Sequence, residues 1–199
     1  MDIRTSDTFE KSIRRLVRYK TWWYKTYELF RYDLPRFLGN VWTFRKALWN
    51  HYWFDHHGTL MFIETGLTHI SDTVEKYGME VDESRLKKVE KMRRAIELIR
   101  NYNQDNYIDM AEKELGELIT YDWEFEPVPE QPGYSRLIDK ESPEEKEHNK
   151  KVFARAREIG EQEWNELFEI LKGQDTSTFD KEKDFNKQFD GSGIRSWWD

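Results

Sequence analysis

The 199-residue sequence contains no cysteine, which excludes disulfide bonds and every zinc site that is built on thiolates. It has no uninterrupted apolar run of about 18 residues, the length that a membrane-spanning helix needs, and its first residues do not form an apolar signal segment. A P-loop, a G-x-G-x-x-G segment after a strand and a G-x-S-x-G nucleophile elbow are also missing. These absences predict a cytoplasmic protein that does not insert into membranes, and they favour binding over catalysis.

The formal net charge of −7 hides an uneven distribution of charge along the chain. Residues 1–50 carry eleven Lys/Arg against five Asp/Glu, whereas residues 101–199 carry thirteen against twenty-five. Such a split can attract an anion to the basic part, or it can pair two parts of one fold or two neighbouring subunits. General DNA binding is not expected, because it needs a continuous basic face.

Apolar residues recur in steps of three and four along most of the chain, which predicts an all-α fold. The expected architecture is an irregular bundle of five or six helices. Asp55 is expected to cap the third helix, and Gly78 to end it. The predicted helices cover about 7–31, 34–50, 56–77, 83–103, 105–119 and 143–172. The residues of the second helix that are expected to face inward are Leu38, Val41, Trp42 and Leu48.

Four prolines and a glycine between residues 121 and 143 predict a long internal connection within a single helical domain, 1–173. Residues 174–199 are polar and glycine-bearing, which predicts a flexible tail. Trp197 and Trp198 near its end are expected to act as an aromatic anchor. The anchor either docks onto the protein's own bundle or binds a partner or a neighbouring subunit.

Fourteen aromatic residues lie between positions 19 and 54, together with several arginines and lysines. Two helices cannot hide so many rings against each other, so some are expected to line a groove or a contact. Stacking faces beside guanidinium groups suit a nucleotide-like anion. The predicted ligand-binding residues are Arg18, Trp22, Arg31, Trp42, Arg45 and Trp49. The alternatives are a bulky core covered by arginine stems and a protein interface.

The segment HYWFDHHGTL, residues 51–60, contains a cluster of histidines around an aspartate. If a helix ran through them, His51 and Asp55 would share a face and could hold part of a metal site with His57. Adjacent helical side chains point about 100° apart, however, and Asp55 already serves as a cap. We therefore expect histidines hydrogen-bonded at a helix junction, with no metal ligand, no cofactor and no catalytic residue.

Three stretches of the chain resemble uncharacterised helical proteins encoded by tailed bacteriophages: FRKALWNHYWFDHHGTLMFIETGLTHI, EVDESRLKKVEKMRRAIELI and the closing GSGIRSWWD. The resemblance covers roughly residues 20–105 and the last few, and its motifs are tied to no reaction. It implies a viral protein that acts in the infected bacterial cytoplasm or in the virion.

Three functional hypotheses follow from the sequence. In the first, an accessory protein sequesters an anionic, nucleotide-like host ligand or signal and so helps the virus to evade host defence. In the second, the aromatic surface and the Trp197–Trp198 anchor bind a host or viral protein, or a second copy in a homo-oligomer or virion. In the third, His51, Asp55 and His57 serve a metal-dependent phosphohydrolase.

Overall fold

The computed structural model describes residues 22–52, 54–131, 133–180 and 182–197. It confirms the all-α fold class, and within these residues no helix has the length and apolar character that crossing a membrane requires. By its contacts the chain divides into two compact units, Met1–Tyr52 and Trp53–Asp199. The boundary between residues 52 and 53 was not foreseen from the sequence, which predicted one domain up to residue 173.

The described part of the first unit is a continuous run of helix. It comprises α1 (Trp22–Glu28), a π-helical turn (Leu29–Asp33) and α2 (Leu34–Asn50). Pro35 occupies the first turn of α2, where its missing amide hydrogen is tolerated. The predicted bounds of the second helix are confirmed, whereas residues 7–21 of the predicted first helix lie outside the described residues.

The second unit contains the helical bundle. Its helices are α3 (His56–Tyr77), α4 (Asp82–Gln104), α5 (Tyr107–Leu115), α6 (Pro143–Lys172) and α7 (Phe185–Gln188). Asp55 caps α3 as predicted, and α6 begins with a capping box in which Ser142 and Glu145 satisfy each other's backbone amides. Helix α5 stops at Gly116, several residues before its predicted end, because this glycine adopts a positive φ of 102°.

The proline-containing connection forms a short antiparallel hairpin of β1 (Phe125–Pro127) and β2 (Ser135–Leu137). Phe125 pairs with Leu137, and Pro127 with Ser135. Pro127 lies at the end of its strand, where a missing ladder donor is tolerated. The sequence predicted no regular structure here.

The core of the bundle lies where α4 packs against α3 and α6, and a second cluster joins α5 to α6. Apolar periodicity predicts that Leu86, Val89, Met92, Ile96 and Ile99 of α4 face inward; all of them are buried except Leu86, which is 53% exposed. The Arg94 guanidinium of α4 donates two hydrogen bonds of 2.8 Å to the Glu166 carboxylate of α6 and lowers its pKa. The main buried residues are Leu67, Val89, Met92, Leu98, Ile99, Val152, Leu167 and Ile170.

The C-terminal segment packs onto the bundle of its own chain. The Trp197 ring is 4% exposed, and its Nε1 donates to the Gly191 carbonyl at 2.8 Å. The Gly193 amide donates to the carbonyl of Ile170 in α6, also at 2.8 Å. Of the two docking outcomes left open for the predicted anchor, Trp197 therefore adopts the intramolecular one, while Trp198 lies outside the described residues.

Candidate functional site

The α1–α2 run, here called the aromatic helix (residues 22–50), exposes most of its rings. Trp22, Trp42 and Trp49 are 68%, 69% and 88% exposed, whereas Ala47 is the buried residue of α2. The prediction that Leu38, Val41, Trp42 and Leu48 face inward is wrong, because all four are exposed. The physical reason is that apolar periodicity identifies a face suited to burial, but it does not supply the element that covers that face.

The predicted ligand-binding residues are spread along this helix. The guanidinium of Arg45 lies 4.2 Å from the centroid of the Trp42 ring and donates to the Trp42 carbonyl at 2.6 Å. Trp22 and Trp49, however, are separated by about 40 Å of helical rise, which is longer than a nucleotide. Arg31 is exposed between them, and Arg18 lies outside the described residues.

Asp55, His56 and His57, here called the histidine cluster, lie at the start of α3. Their potential ligand atoms are all within 4.8 Å of one another. Asp55 Oδ1 accepts a hydrogen bond of 2.9 Å from the His57 amide. His51 has extended backbone (φ −79°, ψ 122°) at the end of α2, so the helix that would place His51 and Asp55 on one face does not form.

Two residues at the end of α4 hold the histidine rings. His57 Nδ1 lies 3.0 Å from Asn103 Oδ1, and His56 Nε2 lies 3.2 Å from the Tyr102 hydroxyl. The Tyr102 ring also packs on Trp164 of α6, with 4.8 Å between centroids. The histidines are thus hydrogen-bonded at a helix junction, as expected. Their partners were missed because they lie far away in sequence and no local spacing links them to residue 57.

The histidine cluster opens on a cleft of about 710 Å³ between α4, α5 and α6. Its wall combines rings with the exposed guanidinium of Arg157 and the carboxylates of Asp105 and Glu161. Burial, followed by the charge of the nearby Glu163, raises the pKa of Tyr107 to about 12. The remaining lining residues are His56, His57, Tyr102, Ile108, Ala156, Gly160 and Trp164.

No protein-family model, curated protein or solved structure matches this chain. The fold defines an all-α protein with two surfaces suited to recognition. One is the convex, ring-covered aromatic helix, which can present a large area to a macromolecule. The other is the concave cleft of the bundle, which has the size of a small-molecule site.

Proposed function

We propose that this is a non-enzymatic assembly protein, in which the aromatic helix of one molecule docks onto a second copy of the chain. The observation that carries the proposal is the exposure of Trp22, Trp42 and Trp49 on the aromatic helix. Monomeric soluble proteins rarely expose a continuous apolar surface of this extent. Trp and Tyr also dominate the energetics of protein interfaces.

The energetics of the helix favour a partner. Burying one large apolar side chain contributes about 1.5 to 3 kcal/mol, so a contact covering a few of these rings can offset the entropy lost on association. An isolated helix gains little from propensity alone and depends on the packing of its side chains. Every molecule of the protein carries this exposed apolar surface at all times. The partner best suited to cover it is one that is always present, namely a second copy of the chain.

Charge also favours a second copy. Residues 22–52 carry five Lys/Arg against two Asp/Glu, whereas residues 101–199 carry thirteen against twenty-five. Two aromatic helices packed together would bring like charges close to each other. A heterologous contact, in which the basic helix of one copy meets the acidic surface of the next, avoids this and builds rings or filaments.

The setting that we propose for this assembly is an infected bacterial cell or a virion. Its support is the resemblance of residues 20–105 to helical proteins of tailed bacteriophages. Binding by the same helix to a host or viral protein is the competing outcome, and it predicts a monomer when the chain is purified alone.

Light scattering on the purified chain tests the proposal. We expect a mass that is a multiple of 24.4 kDa and that falls as salt is added, since the contact pairs opposite charges. Trp49→Glu should reduce the mass to that of a monomer. Trp123→Glu is the matched control, because Trp123 is 78% exposed but lies in the hairpin connection. A 24.4 kDa monomer at all concentrations, or equal effects of the two variants, would overturn the proposal.

A second candidate function is the capture of a planar, anionic, nucleotide-like ligand in the cleft. The observation that favours it is the packed pair of Tyr102 and Trp164 beside the exposed Arg157, a ring surface and a cation in one concave site. Nucleotides at millimolar concentration should then raise the melting temperature of the protein. Arg157→Ala should abolish the shift, whereas loss of the shift in Arg45→Ala would place the ligand on α2. No shift with any nucleotide would exclude this function.

A further inference from the structure

We infer that the histidine cluster, Asp55–His56–His57, binds a divalent transition-metal ion of the zinc type at the rim of the cleft. This inference is independent of the proposed assembly. Two imidazoles and one carboxylate are a donor set that suits Zn²⁺, Co²⁺ and Ni²⁺ and is poorly matched to Mg²⁺ or Ca²⁺, which prefer oxygen ligands alone.

The turn that begins α3 brings the three donors together. Their ligand atoms lie within 4.8 Å of one another, and the side chains of His56 and Asp55 are 65% and 33% exposed. Zinc holds nitrogen and oxygen donors at about 2 Å, so donors on one ion lie about 3.5 Å apart. A small rotation of the exposed His56 ring about its hydrogen bond to Tyr102 supplies the remaining approach. The other ring, that of His57, is fixed by α4.

Contacts from α4 leave one ring nitrogen of each histidine available. Asn103 Oδ1 can only accept, so the His57 Nδ1 that faces it at 3.0 Å carries the hydrogen, and Nε2 of the neutral ring keeps its lone pair. In the same way, His56 can donate from Nε2 to the Tyr102 hydroxyl at 3.2 Å. This leaves a lone pair on His56 Nδ1, which lies 3.9 Å from Asp55 Oδ1. Such outer hydrogen bonds are the usual means by which proteins orient histidine ligands.

The local charge balance permits a cation here. The amino-terminal end of α3 opposes positive charge, but the Asp55 carboxylate already satisfies the His57 amide at this end. Asp105 and Glu161, which line the same cleft, add negative charge, and the exposed Arg157 offsets part of it. With three protein donors, a four-coordinate ion would keep one position open toward the cleft.

The first test is calorimetric titration of ZnCl₂ into the full chain without a histidine tag. We expect one ion per chain, and at least a tenfold loss of affinity in the double variant His56→Ala/His57→Ala. The matched control is His69→Ala/His148→Ala, which removes the same number of imidazoles outside the cluster and should bind zinc like the parent. Absence of binding, or equal binding by both double variants, would overturn the inference.

A second pair of variants separates metal binding from folding. Asp55→Asn keeps a capping oxygen, because Asn and Asp are equally good caps, but it removes the charged ligand. Its helix content without metal should match the parent, while zinc affinity falls at least tenfold. Asn103→Leu, which removes the hydrogen bond to His57, should weaken binding by about 10- to 100-fold. Unchanged zinc affinity in both variants would contradict the site. A mass by light scattering that does not change with zinc would leave the assembly proposal intact.

Discussion

Helices α2 and α4 show that the content of apolar residues and their burial are separate properties. Helix α2 has the larger share of apolar residues, yet Ala47 is its one buried residue, whereas the highly charged α4 buries eight. The apolar residues of α4 form one stripe, which α3 and α6 cover. Those of α2 cover a broad face of the helix, yet they are exposed. An exposed apolar face of this kind is typical of an interaction surface, and this supports a partner for α2.

The largest effect on stability is expected in the covered stripe of α4. Ile99 is 0% exposed, so Ile99→Ala removes buried methyl groups and leaves a cavity, which should lower the free energy of unfolding by about 2 to 5 kcal/mol. Leu86→Ala, at a 53% exposed position of the same helix, is the control and should change it by less than about 1 kcal/mol. Urea denaturation measures both. Equal losses would show that the stripe is not the source of stability.

The second-largest effect on stability is expected in the C-terminal segment that packs onto the bundle. Gly191 has a φ of 89°, and a Cβ atom there would overlap the backbone of Lys87. Gly133 has nearly the same φ, 90°, but open space around it. Gly133→Ala should therefore lower the free energy of unfolding by about 1 kcal/mol, through backbone strain alone. Gly191→Ala should lower it further and release Trp197 from the bundle. Hydrogen exchange of residues 189–197 reports the release, and unchanged protection in Gly191→Ala would contradict this packing.

A smaller effect should appear at alkaline pH. The pKa of Tyr107 is raised to about 12 in the fold from its ordinary value of 10.0. Between these values the unfolded chain loses the proton first, so the contribution of Tyr107 is intact below pH 10 and declines as pH rises, by at most about 3 kcal/mol. Tyr107→Phe should remove this decline. The difference between parent and variant should be flat below pH 10, and a difference that stays flat up to pH 12 would exclude the burial effect.

The smallest effect is expected in the aromatic helix itself. Trp49 is 88% exposed, so Trp49→Ala in dilute, unassembled protein should change the free energy of unfolding by no more than about 0.5 kcal/mol. Thermal and urea unfolding at low concentration measure it. A loss as large as that of a core residue would show that Trp49 is buried within its own chain.

Local signals in the sequence predicted much of the fold and little of the candidate site. Asp55 and Gly78 mark the two ends of α3 through hydrogen bonds and backbone angles set by a few neighbouring residues, and the structure confirms them. The apolar stripe of α4 could likewise be predicted from the spacing of its apolar residues. The hydrogen-bond partners of the histidine cluster, Tyr102 and Asn103, could not be predicted. They reach the cluster through the packing of α3 on α4, and no local sequence spacing indicates that contact.

The exposure of α2 was not predictable for a related reason. Periodicity identifies an apolar face, but it does not show whether the same chain covers that face. Trp42 was therefore assigned to the interior although it is 69% exposed. The sequence predicted that the first helices carry more rings than they can bury against each other, and the exposed rings of α2 agree with this prediction. The function of these rings is a proposal.

Hydrogen exchange as a function of protein concentration tests the central claim most directly. If the aromatic helix is covered by a second copy, amides of residues 34–50 should exchange rapidly in dilute protein and become protected as the concentration rises, because a helix without packing opens easily. Amides of residues 82–104 should be protected equally at every concentration. Protection of residues 34–50 that does not change with concentration would contradict the claim.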